Sequence, residues 1–303
     1  MEKDKKHLIV IIGPTAVGKT TLTVQLAKHF GVSVLNADSR QVFKELSVGT
    51  AKPLLEELQG VPHYFINDRS INDEFSAGHF EKEGLRVLTK IFNKEDVAIL
   101  SGGSGLYIDA LCFGFSDIPK VDLSIRRALK EREKKEGVAQ LFTELQQLDN
   151  EYAKTINPEN QQRIIRALEI CIGTGKPFSS FRTGAQEQRK FALHFIGLEL
   201  PREVLYKRIN NRMDDMIANG LFEEAKKNET FKEANALQTV GYSEIFGFFE
   251  GKYEKEEAIR LLKRNSRRYA KRQITWFKKN ELVQWFSPTQ LNEIISYLTP
   301  RLP

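Results

Sequence analysis

The most constraining stretch of this chain of 303 residues is an octapeptide near its start, which reads Gly-Pro-Thr-Ala-Val-Gly-Lys-Thr at residues 13–20. An apolar run precedes it and a helix-forming segment follows it, which is the strand–loop–helix setting of a G-x-x-x-x-G-K-[ST] phosphate loop. Glycine lets backbone N–H groups converge on phosphate oxygens, the helix N-terminus and Lys19 add positive charge, and Thr20 offers a hydroxyl to Mg²⁺. The loop therefore predicts a di- or triphosphate site formed by Gly13, Pro14, Thr15, Ala16, Val17, Gly18, Lys19 and Thr20.

Composition argues against a secreted, membrane or zinc-binding protein. The sequence is 41% hydrophobic and 28% charged, and no run approaches the roughly 18 apolar residues of a membrane span. The charged start lacks the apolar core of a signal peptide. The two cysteines, Cys112 and Cys171, fall in no obvious motif, and the five histidines are scattered, so neither a disulfide framework nor a zinc site is expected. We expect a cytoplasmic protein with no membrane partner.

The net charge of +6 is concentrated in one segment. Residues 258–280 contain nine lysines and arginines and no acidic residue, whereas the rest of the chain is close to neutral. Four of the arginines, Arg260, Arg264, Arg268 and Arg272, repeat at the i, i+4 spacing of one helix face. A local basic stripe on a nearly neutral body indicates a polyanionic partner.

Alternating apolar runs and helical periodicity predict an α/β fold, a P-loop-type parallel sheet flanked by helices. Strands are expected at residues 8–12, 32–37, 61–66, 97–100, 193–198 and 282–286. Between residues 120 and 190 the pattern is helical, with helices at 122–136, 138–149 and 160–172, the last of them ended by Gly173 and Gly175. The sequence thus predicts a catalytic core of residues 1–119 and 191–303 with an inserted helical domain at 120–190.

A carboxylate lies where the second strand ends. Phosphate-loop ATPases, GTPases and kinases usually hold their metal with an acidic residue at the end of a later strand, but the strand at 97–100 runs into Ser101-Gly102-Gly103. Asp38 instead follows the strand at 32–37, at the sheet edge where the phosphate loop is expected. There it could act as a base instead of only as a metal ligand.

Several further segments, taken together in order, resemble the tRNA dimethylallyltransferase family, also called tRNA isopentenyltransferases. The likeness covers nearly the whole chain. After the phosphate loop it includes residues 38–41 (DSRQ), 49–53 (GTAKP), 102–107 (GGSGLY), 160–169 (NQQRIIRALE), 174–177 (TGKP), 240–242 (VGY) and 268–277 (RYAKRQITWF). The resemblance implies transfer of a dimethylallyl group from its diphosphate to N6 of the adenosine 3′ of the tRNA anticodon. It also implies a core that binds pyrophosphate where relatives bind nucleotide.

The resemblance assigns roles around the phosphate loop. Asp38 would accept a proton from the attacking amine or orient it. Lys19, the loop amides and Mg²⁺ on Thr20 would stabilise the departing diphosphate, and Ser104 would contact the phosphate or nucleotide. Arg208 and Arg212 share one helix face, and we place Arg208 over the diphosphate.

The family positions that touch tRNA complete the expected site. The target base must leave the stack of the anticodon loop before it can react, and we expect a monomer that holds the anticodon stem-loop. The residues assigned to tRNA are Asp38, Ser39, Arg40, Gln41, Ser104, Arg126, Gln162, Arg163, Ile164, Ile165, Arg166, Arg264 and Arg268. The aromatic residues Tyr269, Trp276 and Phe277 are expected to pack in the core.

The sequence departs from the family pattern at three positions, with Phe43 in place of a usual tyrosine, Ser104 in place of the commoner threonine, and Asn67 where an acidic residue is common. Three alternatives remain open. An adenylate isopentenyltransferase would need neither the helical insertion nor the basic helix. A phosphate-loop NTPase or kinase would turn over ATP, and an RNA-binding module with a relic loop would have no reason to retain Lys19, Thr20 and Asp38.

Overall fold

The computed structural model describes residues 5–114, 118–182 and 188–303. The chain forms two compact units. One consists of Met1–Cys112 with Arg189–Pro303, and the other of Phe113–Gln188. Residues 1–4, 115–117 and 183–187 of the expected domains lie outside the described residues.

The first unit is built on a parallel sheet that has six strands among the described residues, in the order β3-β2-β4-β1-β5-β6. Its central strands are apolar runs buried on both faces, as expected of a parallel sheet covered by helices. In the central β1–β4 pair, Ile9 is in register with Ile99, and the side chains of both are fully buried. The strands are β1 (Lys6–Ile12), β2 (Val34–Asn36), β3 (His63–Tyr64), β4 (Val97–Gly102), β5 (Phe191–Leu198) and β6 (Gln284–Phe286).

Helices connect these strands and complete the unit. The first of them, α1, begins at Lys19 directly after the phosphate loop, and the longest described helix, α12, carries the basic segment. The helices of this unit are α1 (Lys19–Phe30), α2 (Leu55–Leu58), α3 (Ala77–Phe92), α4 (Gly105–Phe113, whose last residue belongs to the second unit), α9 (Arg202–Ala218), α10 (Leu221–Lys227), α11 (Tyr242–Phe249), α12 (Lys255–Phe277) and α13 (Leu291–Leu298).

The second unit is helical and has its own apolar core. Its helices are α5 (Leu123–Glu136), α6 (Val138–Leu148), α7 (Asn150–Ala153) and α8 (Gln161–Thr174). Leu129, Leu141 and Leu168 are buried together at its centre. The sequence predicted that α8 ends before Gly173, which was wrong, because the helix continues through Gly173 to Thr174. Glycine at 173 instead allows close packing, since a Cβ there would lie 2.5 Å from Val121. Gly175 terminates it in a left-handed conformation, with φ of 68°.

The boundary between the units differs slightly from the expected 120–190 insertion. Arg189 belongs to the first unit. Its guanidinium donates to the backbone oxygens of Leu111 and Ala110 and pairs with Glu81 at 2.5 Å. These contacts tie the return of the chain to α3 and α4, so the core resumes at Arg189.

Candidate active site

The phosphate loop leaves β1 at its carboxyl end and enters α1. Gly13 has φ of 155°, and a Cβ there would lie 2.8 Å from the backbone oxygen of Leu198 on β5, so a larger residue would not fit. The Lys19 ammonium folds back over the loop and donates to the backbone oxygens of Gly13 and Pro14, at 2.9 and 2.8 Å. Thr20 lies exposed in the first turn of α1. The loop therefore already has the closed shape that encircles an anion.

The environment of Lys19 is electrostatically unusual. Burial, followed by the positive charge of Arg212, lowers the pKa of Lys19 to about 7, and the carboxylate of Asp38 opposes the shift. All three side chains are thus close enough to influence one another. A bound diphosphate would add negative charge beside Lys19 and favour its protonated form.

Asp38 follows β2 and is held by the backbone at its own turn. The N–H of Ala37 donates to Ser101 of β4 at 2.7 Å, which fixes the chain just before it. Oδ1 of Asp38 accepts the N–H groups of Arg40 and Gln41, at 2.9 and 3.3 Å. Oδ2 makes no hydrogen bond with any part of the chain that the structure describes. One oxygen is therefore engaged in orienting the carboxylate, and the other is left for a ligand.

Ser104 begins the turn after β4, and its neighbours link it to Asp38. Its Oγ accepts the N–H of Ser39 at 2.9 Å, and its own N–H donates to Ala37 at 3.2 Å. The hydroxyl of Tyr269 of α12 lies near Asp38 and Ser104. Burial, followed by the negative charge of Asp38, raises the pKa of Tyr269 to about 12, so its hydroxyl stays protonated and able to donate.

Arg208 and Arg212 of α9 both reach the phosphate loop but in different places. Arg208 donates to the backbone oxygen of Val17 at 3.1 Å. Arg212 lies at 3.4 Å from both Thr15 Oγ1 and the backbone oxygen of Ala51, and it lines a pocket that Arg208 does not line. The sequence put Arg208 over the diphosphate; in the structure both arginines contact the phosphate loop, and Arg212, one helical turn further along the same face, also lines the pocket.

This pocket joins the elements into one site. Asp38, Arg40, Arg212 and the phosphate-loop residues Thr15 and Ala16 form its polar side. Two cations therefore surround one carboxylate, with Lys19 nearby, and the excess positive charge suits a polyanion. Its apolar side, which the sequence could not assign, is formed by Ile209, Met213, Met216 and Val240.

Gly49 and Thr50 line the pocket, and their loop is fixed by a carboxylate far away in the sequence. Glu224 of α10 accepts the N–H groups of Ser47, Val48 and Gly49, at 2.7, 2.8 and 2.8 Å, and the hydroxyl of Tyr242 at 2.6 Å. The side-chain amide of Gln41, a predicted tRNA contact, donates to residues 50 and 51 at 3.0 and 3.2 Å. Both hydrogens of that amide are thus engaged within the protein.

Two of the sequence departures have clear local contacts. Asn67 Oδ1 accepts a hydrogen bond from the ammonium of Lys52 at 2.6 Å. The side chain of Phe43 is 3% exposed. Its ring therefore acts in packing.

Sequence reasoning missed Gln273, which touches the site directly from α12. Its Oε1 accepts the N–H of Thr15, and its Nε2 donates to the backbone oxygen of Gly103, both at 2.9 Å. The signals in the sequence are its place in the family motif at 268–277 and a polar residue in the buried stripe of an amphipathic helix, between Ala270 and Phe277.

The basic stripe on α12 is partly paired with other side chains. Arg260 forms an ion pair with Glu257 at 2.6 Å, and Arg272 lies over the ring of Tyr269. Arg264 contacts Asn265 at 3.2 Å, and Arg268 is exposed. Of the aromatics expected in the core, Phe277 is buried, Tyr269 lines the pocket and Trp276 is 37% exposed, its indole N–H donating to Asp109 at 2.9 Å.

The tRNA positions assigned to the second unit fall into two groups. Gln162, Arg163 and Arg126 are exposed, and Arg166 is half-buried. Glu169, itself buried, pairs with Arg166 at 3.1 Å and Arg126 at 3.6 Å. Ile164 and Ile165 are 0% and 4% exposed and belong to the apolar core, so their side chains pack within the protein and do not face a ligand.

Protein oxygens for a metal are few at this site. Within residues 5–114, 118–182 and 188–303, no group of three or more His, Cys, Asp and Glu side chains could hold a metal ion. At the end of β4, where an acidic ligand is common, Ser101 hydrogen-bonds Thr23 at 2.7 Å. The exposed hydroxyl of Thr20 remains, which fits Mg²⁺, an ion that keeps several waters and binds substrate phosphate with few protein oxygens.

The fold and the site define a phosphate-loop α/β protein with a cationic pocket at the carboxyl edge of its sheet and a basic helix beside it. None of the helices described has the length and hydropathy to cross a lipid bilayer. The sequence model of the family described as IPP transferase matches residues 41–280. The chain belongs to the IPP transferase family.

Individual relatives agree with this assignment over nearly the full length. A tRNA dimethylallyltransferase of Cytophaga hutchinsonii is 52% identical over 297 residues, 98% of each chain. The tRNA dimethylallyltransferase 1 of Bacteroides fragilis is 46% identical over 97% of each chain.

Solved structures are similar as well. The tRNA isopentenylpyrophosphate transferase of Bacillus halodurans aligns with a TM-score of 0.72 and 38% identity, over 98% of this chain and 97% of that one. A eukaryotic dimethylallyltransferase acting on tRNA aligns with a TM-score of 0.77 and 27% identity, over 98% and 77% of the two chains.

Proposed function

We propose that this protein transfers a dimethylallyl group from dimethylallyl diphosphate to N6 of the adenosine next to the anticodon of tRNA, on its 3′ side, and releases pyrophosphate. The observation that carries the proposal is the pocket in which Asp38 lies with Arg40, Arg212 and the phosphate loop. A carboxylate among cations suits a reaction in which an amine loses a proton while a diphosphate leaves.

The diphosphate is held by the loop and the cations around it. Backbone N–H groups at the start of α1 and the ammonium of Lys19 face its oxygens, and Arg212 approaches from α9. As the bond between carbon and diphosphate oxygen breaks, the electron pair stays on oxygen, and these groups stabilise the added charge. Mg²⁺ held by Thr20 would supply further charge neutralisation when bound.

The accepting amine is activated by Asp38. The exocyclic N6 of adenine is a weak nucleophile, and it becomes more reactive when a carboxylate accepts one of its protons as the carbon–nitrogen bond forms. Oδ2 of Asp38 has no hydrogen bond to the described residues, while Oδ1 is fixed by two backbone N–H groups. The proton therefore passes from N6 to Oδ2, and Ser104 and Tyr269 bond to the substrate nearby.

The prenyl tail occupies the apolar side of the same pocket. Ile209, Met213 and Met216 lie on successive turns of α9, the helix that also carries Arg212. A branched chain of five carbons packs against them while its diphosphate meets the arginine. Methionine side chains adapt well to such a small branched group.

We propose tRNA contacts at basic and polar side chains that are exposed or half-buried, and each unit carries some of them. Backbone phosphates are the natural partners of such arginines. Because its base is flipped, the adenosine enters the pocket and meets Ser39, Arg40 and Asp38. The proposed phosphate and loop contacts are Arg126, Gln162, Arg163, Arg166, Arg264 and Arg268.

The direct test supplies labelled dimethylallyl diphosphate with Mg²⁺ and either tRNA, AMP or ATP. We expect label in N6-dimethylallyladenosine after nuclease digestion of the tRNA, equimolar pyrophosphate, and no label in AMP. A tRNA with guanosine in place of the target adenosine is the matched control and should remain unlabelled. Label in AMP alone would make the protein an adenylate isopentenyltransferase, and ATP hydrolysis without transfer would make it an NTPase.

A further inference from the structure

Gln273 is a polar side chain in a place where the packing asks for an apolar one. The buried residues of α12 include Ala258, Leu262, Ala270 and Phe277, and Gln273 continues this stripe at 6% exposure. A buried amide lowers stability unless its hydrogen bonds are made. An apolar residue would pack here without that requirement, so the amide itself has a role.

Both ends of this amide bond to backbone groups of the two loops that form the site. Oε1 accepts the N–H of Thr15 in the phosphate loop, and Nε2 donates to the carbonyl oxygen of Gly103, each at 2.9 Å. Gly103 directly precedes Ser104, which in turn holds the backbone N–H of Ser39 beside Asp38. One side chain thus connects the loop that carries Lys19 with the turn that orients Asp38.

The fit between Gln273 and Gly103 leaves no space for another group. A Cβ on Gly103 would lie 2.3 Å from Nε2 of Gln273. Glycine is therefore required at 103 by the close approach of the amide. The two residues lie 170 positions apart in the chain, and each accounts for the identity of the other.

We propose that Gln273 is a positioning residue that sets the distance between the diphosphate loop and the Gly103–Ser104 turn, and so between the leaving group and Asp38. This inference rests on the proposed function for its effect on transfer, but not for its effect on diphosphate binding. Reacting groups must be held in near-attack geometry, and a displacement of about 1 Å costs about 10²-fold in rate.

Gln273→Met tests the proposal because methionine fills a similar volume without the two hydrogen bonds. Thr275→Ala, an exposed change on the same helix, is the control. We expect Gln273→Met to lower kcat about tenfold or more, to weaken binding of inorganic pyrophosphate in calorimetry, and to leave the KM for tRNA within about twofold of the wild-type value. Kinetics and binding equal to those of Thr275→Ala would overturn it, as would parallel losses of melting temperature and tRNA affinity.

Gly103→Ala disrupts the contact between Gly103 and Gln273 at the glycine. It provides a second test of the proposal in case Gln273→Met folds poorly. If the contact acts as one unit, the double variant is no worse than the more impaired single variant, since interacting sites are not additive. Additive losses would overturn the proposal. Should the wild-type protein bind pyrophosphate but transfer no prenyl group to tRNA, the proposed function fails, and pyrophosphate binding by the variants still decides the role of Gln273.

Discussion

The two edges of the parallel sheet differ in what their polar groups contact. At the carboxyl edge, Lys19 and Asp38 lie in a partly enclosed site where their charges affect each other. At the amino ends, Lys6 pairs with Asp96 at 2.6 Å, and Nδ1 of His7 lies 2.9 Å from Nε2 of His194. The first set bonds to backbone groups of loops, and the shortest contacts of the second set are with other side chains.

This difference separates function from stability. Loop backbone groups can be exchanged for ligand atoms, so the carboxyl edge is where a substrate can enter, as in other open parallel sheets. At the amino edge, by contrast, the polar groups of β1 and β5 join strands that are already paired. Substitutions at the carboxyl edge should therefore change turnover with little loss of stability, and those at the amino edge the reverse.

The largest effect is expected at Asp38. Asp38→Asn keeps an acceptor for the N–H groups of Arg40 and Gln41 but is a far weaker base for N6. The rate of transfer in a single turnover should fall by about 10²-fold or more, with tRNA affinity and melting temperature nearly unchanged. Rapid-quench assays with saturating substrates measure it. An unchanged single-turnover rate would remove Asp38 as the base.

Asp38 also shows how far the sequence reached. A residue that directly follows a strand of a parallel sheet lies at the carboxyl edge of that sheet. The position of Asp38 beside the phosphate loop could therefore be predicted from the sequence pattern alone. Strands β1, β4 and β5 could also be predicted from the sequence, because long apolar runs are strong signals of buried strands. Strand β3 was expected to span 61–66 but has only two residues. A short edge segment carries too little periodicity for its ends to be predicted.

Contacts between distant segments were beyond sequence reasoning. Helical spacing put Arg208 and Arg212 on one face but could not show which of them enters the pocket, because that depends on how α9 lies against the sheet. Glu224 is separated from Gly49 by 175 positions and Gln273 from Gly103 by 170. Ile164 and Ile165 lie within a motif that also holds exposed arginines, so only the packed core revealed their role.

The second-largest effect should distinguish the two arginines of α9. Arg212→Met removes a cation from the pocket and should weaken binding of dimethylallyl diphosphate about 10- to 10²-fold, the usual scale for hydrogen bonds to charged groups. Arg208→Met removes a contact with the Val17 backbone oxygen and should have a smaller effect. Calorimetric titration with the unreactive product pyrophosphate gives the ranking directly. A larger loss at Arg208 would restore the assignment made from sequence.

A smaller effect on affinity is expected on α12. Replacing Arg264 and Arg268 by alanine should weaken tRNA binding and reduce the slope of log affinity against log salt by about two, one for each lost phosphate contact. Arg260→Ala is the matched control, because Arg260 is already paired with Glu257. Filter binding at several salt concentrations measures the slopes. Equal slopes for all three proteins would locate the tRNA elsewhere.

The smallest effect belongs to the amino edge and appears in stability alone. Burial, with the charge of His7 and Arg301, lowers the pKa of His194 to about 4, against about 6.5 in the unfolded chain. Because the unfolded state takes up the proton first, stability is full above about pH 6.5, falls between about pH 6.5 and 4, and falls no further from this group below that. We expect a loss of about 1–2 kcal/mol, since the site is partly solvated and screened.

His194→Gln tests this assignment, because glutamine retains hydrogen-bonding capacity without titrating. Urea denaturation of both proteins at about pH 7, 6 and 5 should show a steeper loss of unfolding free energy for the wild type. Burial, followed by Lys5, also lowers the pKa of His7, while Asp96 opposes that shift, so some pH dependence should persist in the variant. Transfer activity at pH 7 should be unaltered. Parallel curves would show that the histidine pair does not govern acid stability, and lost activity would show that the two edges of the sheet are not independent.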